Sequence, residues 1–314
     1  MTSRNPGSTY LLLLWGKRRG EVNGILRRGD RVQGESARHV LCMTIEEIEA
    51  ALRQSAEVRD SILYESYAST VALFAVTAQE QGESLQLAGS GTLIQISSSS
   101  YILTAAHVWE EVLKSASKMG VSLPEDLNRR FLMDIDTPAG PLKPVAWTKW
   151  GPDIIFLRIP PEHVGAIKAF RVFYNLSFKG ATEQQKIAST VTHLETWVIV
   201  GAPHASGKFP TPNYADILIN AFFCSAPFSH SRNGFDFLDF TADTSLPDVP
   251  KNFGGVSGGG LWKILVFESP STGKIDSTAT LEGVAFFQIV IDDSHSLIRC
   301  HGPETIATAS SSLS

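Results

Sequence analysis

The segment Gly254-Gly255-Val256-Ser257-Gly258-Gly259-Gly260, continuing as Leu261-Trp262-Lys263-Ile264-Leu265-Val266-Phe267, is the most informative stretch of this chain. Five of its first seven residues are glycine, and a serine sits among them. Glycines let the backbone turn tightly and let another segment come close. A serine in that setting is exposed on a strained loop. The N–H groups around it can converge on one point, as stabilisation of an oxyanion requires. A phosphate-binding loop would instead carry a lysine after the glycines and run on as a helix. The apolar 261–267 run reads as a strand. That also speaks against esterase or acyltransferase chemistry on an α/β fold, where the nucleophile lies between a strand and a helix.

Working outward, the texture from about residue 66 is β. Short apolar runs recur at Thr70–Thr77, Leu85–Ile96, Tyr101–Thr104, Phe131–Ile135, Leu142–Trp147 and Ile154–Ile159, separated by Ser, Gly, Pro and Asp clusters. A second set follows at Leu194–Gly201, Ala215–Ala226, Phe235–Phe240, Gly260–Phe267, Leu281–Ile291 and His295–Arg299. Two runs of roughly six strands predict two small β-barrels in tandem. Helical insertions are expected from His107 to about Lys118 and from Pro161 to about Phe170, and a polar stretch near 172–190 is expected to bridge the two sets. Thr44-Ile45-Glu46-Glu47 has the T-x-x-E pattern of a capping box, and Ile45, Ile48 and Leu52 follow at helical spacing. Residues 44–56 are therefore expected to form an amphipathic helix.

Two further motifs carry chemistry. Leu103-Thr104-Ala105-Ala106-His107 ends a strand in small residues that leave room around a rigidly held imidazole. Pro152-Asp153-Ile154-Ile155-Phe156-Leu157 opens an apolar strand with an acid, which is well placed to accept a histidine Nδ1–H and fix its tautomer. Taken singly, each motif also fits a structural histidine or a surface turn residue.

Together these motifs resemble the trypsin-like (chymotrypsin-fold) serine peptidase family, and in particular its bacterial-type intracellular members. Thr104–His107 is similar to the family's T-A-A-H, Asp153–Leu157 to its aspartate strand, and Gly255–Gly259 to its G-x-S-G-G loop. Gly89-Ser90-Gly91-Thr92 looks like the G-S-G strand that precedes the histidine. The order is His, Asp, Ser, spaced 46 and 104 residues apart, and the resemblance covers roughly residues 66–302. It implies an all-β fold of two tandem six-stranded antiparallel barrels, divided at about 66–160 and 191–302 with a bridge at about 161–190. It also implies an endopeptidase in which Ser257 is nucleophile, His107 general base and Asp153 the orienting group, with Gly255 and Ser257 N–H groups forming the oxyanion hole.

The chain departs from the family at Val256. Digestive relatives carry there an aspartate that pairs with a new N-terminus, so activation by N-terminal insertion is not expected. Gly283-Val284-Ala285-Phe286-Phe287-Gln288 resembles the strand lining the primary specificity pocket. Family members often carry serine where Phe286 stands and glycine where Gln288 stands, so Gln288 is expected to narrow the entrance. Lys251 falls where the pocket base often lies; it either points inward, favouring an acidic substrate side chain, or is exposed on a loop.

Composition sets the remaining bounds. The 314-residue chain has a net charge of −5, which gives no global call for nucleic acid or anionic membrane. Residues 1–42 hold eight Lys or Arg against three Asp or Glu, a balance of +5 that leaves −10 on the rest. This segment is expected to be a disordered leader, with Met43 the true start or the start of ordered structure. Three cysteines, Cys42, Cys224 and Cys300, make no disulfide framework and fit a reducing compartment. Tyr10–Trp15 is too short for a signal h-region, so a cytoplasmic location is expected. No cofactor is called for. His295, Asp292, Asp293, Cys300 and His301 lack the usual ligand spacing, so no metal is expected. Trp147, Trp150 and Trp197 are assigned to the core, and residues 303–314 to a flexible tail. The expected partners are a protein or peptide substrate and a regulatory protein. The rival reading, from another functional class, is a catalytically silent interaction module on the same fold.

Overall fold

The computed structural model describes residues 43–313 apart from 81, 123–129, 134–138, 143–149, 177–186, 190–191, 212–213, 225 and 247–248. The proposed leader and Trp147 lie outside the described residues.

The chain enters through two helices. In α1 (Ile45–Gln54) the Thr44 hydroxyl accepts from Glu47 N–H, and the Glu47 carboxylate accepts from Thr44 N–H, so the expected capping box is formed. The helix stops at Ser55, whose own hydroxyl accepts from Val58 N–H and caps α2 (Ala56–Ala68). One expected helix thus becomes two.

The body is mostly β, in two consecutive sheets. The first takes β1 (Thr70–Gln79), β2 (Gly82–Ile96), β3 (Ser99–Thr104), β4 (Lys118–Ser122), β5 (Arg130–Met133), β6 (Ala139–Leu142), β7 (Ile154–Arg158) and β8 (Tyr174–Asn175). Its order is β5-β4-β1-β2-β3-β7-β6, and β8 lies parallel to β2. The second sheet runs β12-β9-β15-β16-β17-β14-β13. Its members are β9 (His193–Gly201), β12 (Asn220–Cys224), β13 (Phe228–Arg232), β14 (Phe235–Asp243), β15 (Gly260–Glu268), β16 (Ile275–Val290) and β17 (His295–His301). Between β9 and β12, β10 (Lys208–Thr211) and β11 (Tyr214–Asp216) form a separate pair. The two antiparallel sheets match the expected two-part, trypsin-like β architecture. The expected six-and-six count is corrected to eight and seven strands, and among the described residues neither sheet closes into a barrel.

Where elements differ from expectation, tertiary contacts account for it. The second expected insertion is α3 (Pro161–Lys168), whereas the helical segment after His107 is a π-helical turn, Val108–Val112, and a 3-10 turn, Leu113–Ser115. It ends early because β4 pairs with the free edge of β1, Leu73 against Val121. The 215–226 run breaks because Ile217 and Ile219 leave the strand path to pack on Phe74, Leu87 and Ala202. The expected strand at Leu142–Trp147 is represented by β6, which ends at Leu142; residues 143–147 lie outside the described residues.

The tail expected to be flexible is instead a docked helix, α4 (Pro303–Ser310), with Ile306 and Ala309 buried. Its N-cap is Gly302, which has no side chain to offer. The Asp236 carboxylate on β14 takes that role, accepting from Glu304 N–H at 3.0 Å and Thr305 N–H at 2.6 Å. An anion at a helix N-terminus satisfies orphan donors and meets the positive end of the dipole.

One core joins all of these. Ile48, Leu52 and Ile62 from the entry helices, Leu103 and Phe156 from the first sheet, Val198 and Trp262 from the second, and Ile306 from α4 share a cluster. Full burial of each such side chain contributes about 2 kcal/mol. The helices therefore clamp the two sheets together. Among the described residues no helix is long and apolar enough to cross a membrane.

Candidate active site

Asp153 immediately precedes β7, and His107 follows β3, the strand that pairs with β7 through Thr104 and Ile155. This register places the imidazole beside the acid. His107 Nδ1 and Asp153 Oδ2 are 2.7 Å apart, and the backbone N–H of His107 donates to Asp153 Oδ1 at 2.9 Å. Both carboxylate oxygens are thus engaged by one residue, which compensates the burial of Asp153 at 5% exposure. An ionised carboxylate accepts only, so Nδ1 carries a proton and Nε2 is left as the basic nitrogen. Burial works against the charged imidazolium, but the hydrogen bond and charge of Asp153, helped by Glu111, outweigh it. The His107 pKa is raised above its ordinary 6.5.

Ser257 lies on the turn that feeds β15. Past Val284, the edge of β16 is taken by the loop itself: Gly258 N–H donates to Ala285 O at 2.8 Å, and Ala285 N–H to Gly259 O at 2.9 Å. Ser90 on β2 secures the loop from the first sheet. Its N–H donates to Ser257 O at 2.8 Å, and its hydroxyl donates to Gly255 O at 2.6 Å while accepting from Ala202 N–H at 2.8 Å. The Ser90 carbonyl in turn accepts from the Thr104 hydroxyl at 2.7 Å, three residues before His107. The serine loop is therefore tied directly to the strand that carries the histidine.

Two glycines in the loop are required by conformation and space. Gly255 has φ +90°, and a Cβ there would lie 2.5 Å from Ala202 O. Gly258 has φ +87°, and a Cβ would collide with Ser90 O and Thr104 Oγ1. With the Gly255 carbonyl turned to Ser90, the N–H groups of Gly255 and Ser257 donate to no acceptor among the described residues. Val256 is 1% exposed and packs with Phe253, Leu261 and Ile199, so the loop is anchored by apolar burial where an ion pair is absent.

Of the three residues assigned to a specificity pocket, Phe286 and Gln288 share β16, and Gln288 reaches Lys251. Lys251 is exposed, and its carbonyl accepts from Gln288 Nε2 at 3.0 Å. Gln288 Oε1 also accepts from Phe253 N–H at 2.9 Å, so this amide stitches β16 to the 251–253 segment. Phe286 is buried and stacks on His301, with ring centroids 4.2 Å apart.

His301 is the residue whose place sequence reasoning did not find. Its Nε2 accepts from Asp153 N–H at 2.9 Å. The other members of the set weighed for a metal have separate roles: Asp292 receives Ser294 and His295 in a turn, and Cys300 is a buried free thiol. Trp150 is half-buried, with guanidinium groups of Arg232 and Arg299 each 4.1 Å from its ring centre.

No family model matches the chain, and no curated protein does. Among solved structures it is similar to the Rv3671c protease of M. tuberculosis in its active form, at 14% identity and TM-score 0.42, over 90% of this chain and 94% of that one. It is also similar to the Drosophila Grass clip serine protease of the Toll pathway, at 14% identity and TM-score 0.42, over 79% of this chain and 69% of that one. Likeness at that distance gives no residue a role, and the roles below rest on the chain's own geometry.

Proposed function

We propose that this chain is a trypsin-like serine endopeptidase that works through an acyl-enzyme. The observation that carries the proposal is the His107–Asp153 pair, closed by two hydrogen bonds and joined through Thr104 and Ser90 to a glycine loop bearing Ser257. Ser257 Oγ attacks the scissile carbonyl, and His107 Nε2 takes its proton. Asp153 holds the imidazole in the productive tautomer and stabilises the imidazolium. The undonated N–H groups of Gly255 and Ser257 receive the oxyanion, a contribution of about 3 kcal/mol per donor in comparable sites. His107 then returns the proton to the leaving amine, and water repeats the sequence to release the acyl group.

Val256 supports a loop built ready for use, since its burial replaces the charge pair by which zymogen-type relatives order theirs. Cys224 and Cys300 are free thiols, which accords with a cytoplasmic setting. Cleavage profiling on an unbiased peptide mixture tests the proposal. The native chain should yield defined cleavage sites that vanish in Ser257→Ala; products persisting unchanged in that variant would refute it.

A further inference from the structure

Asp153 is gripped by two histidines. His107 engages its carboxylate from the first sheet, and His301, at the end of β17 in the second, takes its backbone N–H. The His301 ring has no exposed surface. Phe286 stacks on one face at 4.2 Å and 13°, Phe237 lies tilted at 5.4 Å, and Phe235 meets it edgewise at 6.3 Å. Gly151, with φ +52°, leaves room for the ring edge: a Cβ there would lie 2.6 Å from His301 Cε1.

A ring packed among three phenylalanines could itself be a phenylalanine. Histidine is the costlier choice, because Nδ1 is buried and, among the described residues, has no hydrogen-bond partner. An unsatisfied buried polar group costs about 1–3 kcal/mol. What histidine adds is a lone pair at Nε2, and that lone pair meets the Asp153 N–H. An N–H at Nε2 would abolish the contact, so the proton of the neutral ring belongs on Nδ1. Burial keeps the ring neutral, its pKa lowered to about 4, against the opposing pull of the two carboxylates facing it, Asp153 and Asp236.

The segment leading to Asp153 is held from the same side. Trp150 lies between Arg232 of β13 and Arg299 of β17, and Arg299 is fixed by a bidentate pair with Asp239. Residues 150–153 therefore lie on the second sheet, although Asp153 serves a histidine of the first.

We propose that His301 is a positioning residue: its unprotonated Nε2 accepts the Asp153 backbone N–H and sets, from the second sheet, where the carboxylate meets His107. The inference rests on the reading of Asp153 as the group that orients His107, and it specifies what orients Asp153. It couples the half of the molecule that carries the histidine and acid to the half that carries the serine. A small shift of β17 against β7 would then loosen the His107–Asp153 pair.

The test is an NMR titration of the His107 ring in the full chain, which needs neither substrate nor a working nucleophile. Failure of the peptidase reading would appear as an unreactive Ser257, and failure of this inference as an unmoved His107. In His301→Phe, which keeps the stack and removes the acceptor, the His107 pKa should fall from its raised value toward 6.5. His301→Gln, whose side-chain oxygen reaches a similar point, should restore it. A folded His301→Phe protein with unchanged His107 titration would overturn the proposal. Should both variants fail to fold, ring 15N shifts of the native protein decide it: a proton on Nδ1 of His301 is required, and a proton on Nε2 would refute it.

Discussion

The carboxylate of Asp153 does two jobs with two oxygens, and both are directed at His107. Asp153→Asn keeps the shape but presents an amide to Nδ1, which favours the wrong tautomer. The expected loss in turnover is about ten-thousandfold, read as kcat on any peptide the native chain cleaves, with the pH–rate inflection moving down. In the native protein the rate should climb with pH as His107 becomes neutral. Because its pKa is raised, the midpoint should lie above 6.5; a midpoint below that would remove Asp153 from the pair. These residues were legible in the sequence because each sits where local backbone demands are severe. Small residues precede His107, an acid opens an apolar strand at Asp153, and glycines with positive φ flank Ser257. His301 was not legible. Its partner is 148 residues away, and no local pattern marks a ring that accepts a single backbone N–H.

Among the elements, the serine loop depends most on a residue outside it. Ser90 sits on β2, yet among the described residues its side chain alone holds Gly255 O and Ala202 N–H. Ser90→Ala leaves both buried groups without that partner and should destabilise the fold by about 2–4 kcal/mol, measured by urea unfolding. It should also slow reaction at Ser257, because the carbonyl that Ser90 holds belongs to the residue donating one of the two N–H groups. Gly258→Ala should be worse, since the new methyl meets Ser90 O and Thr104 Oγ1 in a backbone region L-residues avoid. Loss of soluble folded protein, followed by circular dichroism, is the expected outcome. Strand existence was readable from apolar runs, but strand ends were not. The break at 217–219 comes from Ile217 and Ile219 seeking the first sheet, and α4 is capped by Asp236, 68 residues before the Glu304 N–H it accepts from. Neither contact leaves a trace in local periodicity.

For the whole molecule, two histidines give opposite pH signatures. His107 has a raised pKa, so its stabilising contribution is complete below 6.5 and is lost as pH rises through the folded value. His301 has a lowered pKa, so its contribution is present above 6.5 and is lost as pH falls toward about 4. For His301 the difference is on the order of 3 kcal/mol. The urea midpoint should therefore drop between pH 6.5 and 4, and the drop should shrink in His301→Phe; an equal drop in both would assign it to other groups. The entry helices, both sheets and α4 share one core, which fixes the two sheets against each other. The most direct measurement of the central claim is labelling by a fluorophosphonate followed by peptide mapping. One adduct is expected, on Ser257, lost in His107→Ala and strongly slowed in Asp153→Asn. A native, folded chain that leaves Ser257 unlabelled, or labels equally well without His107, would contradict it.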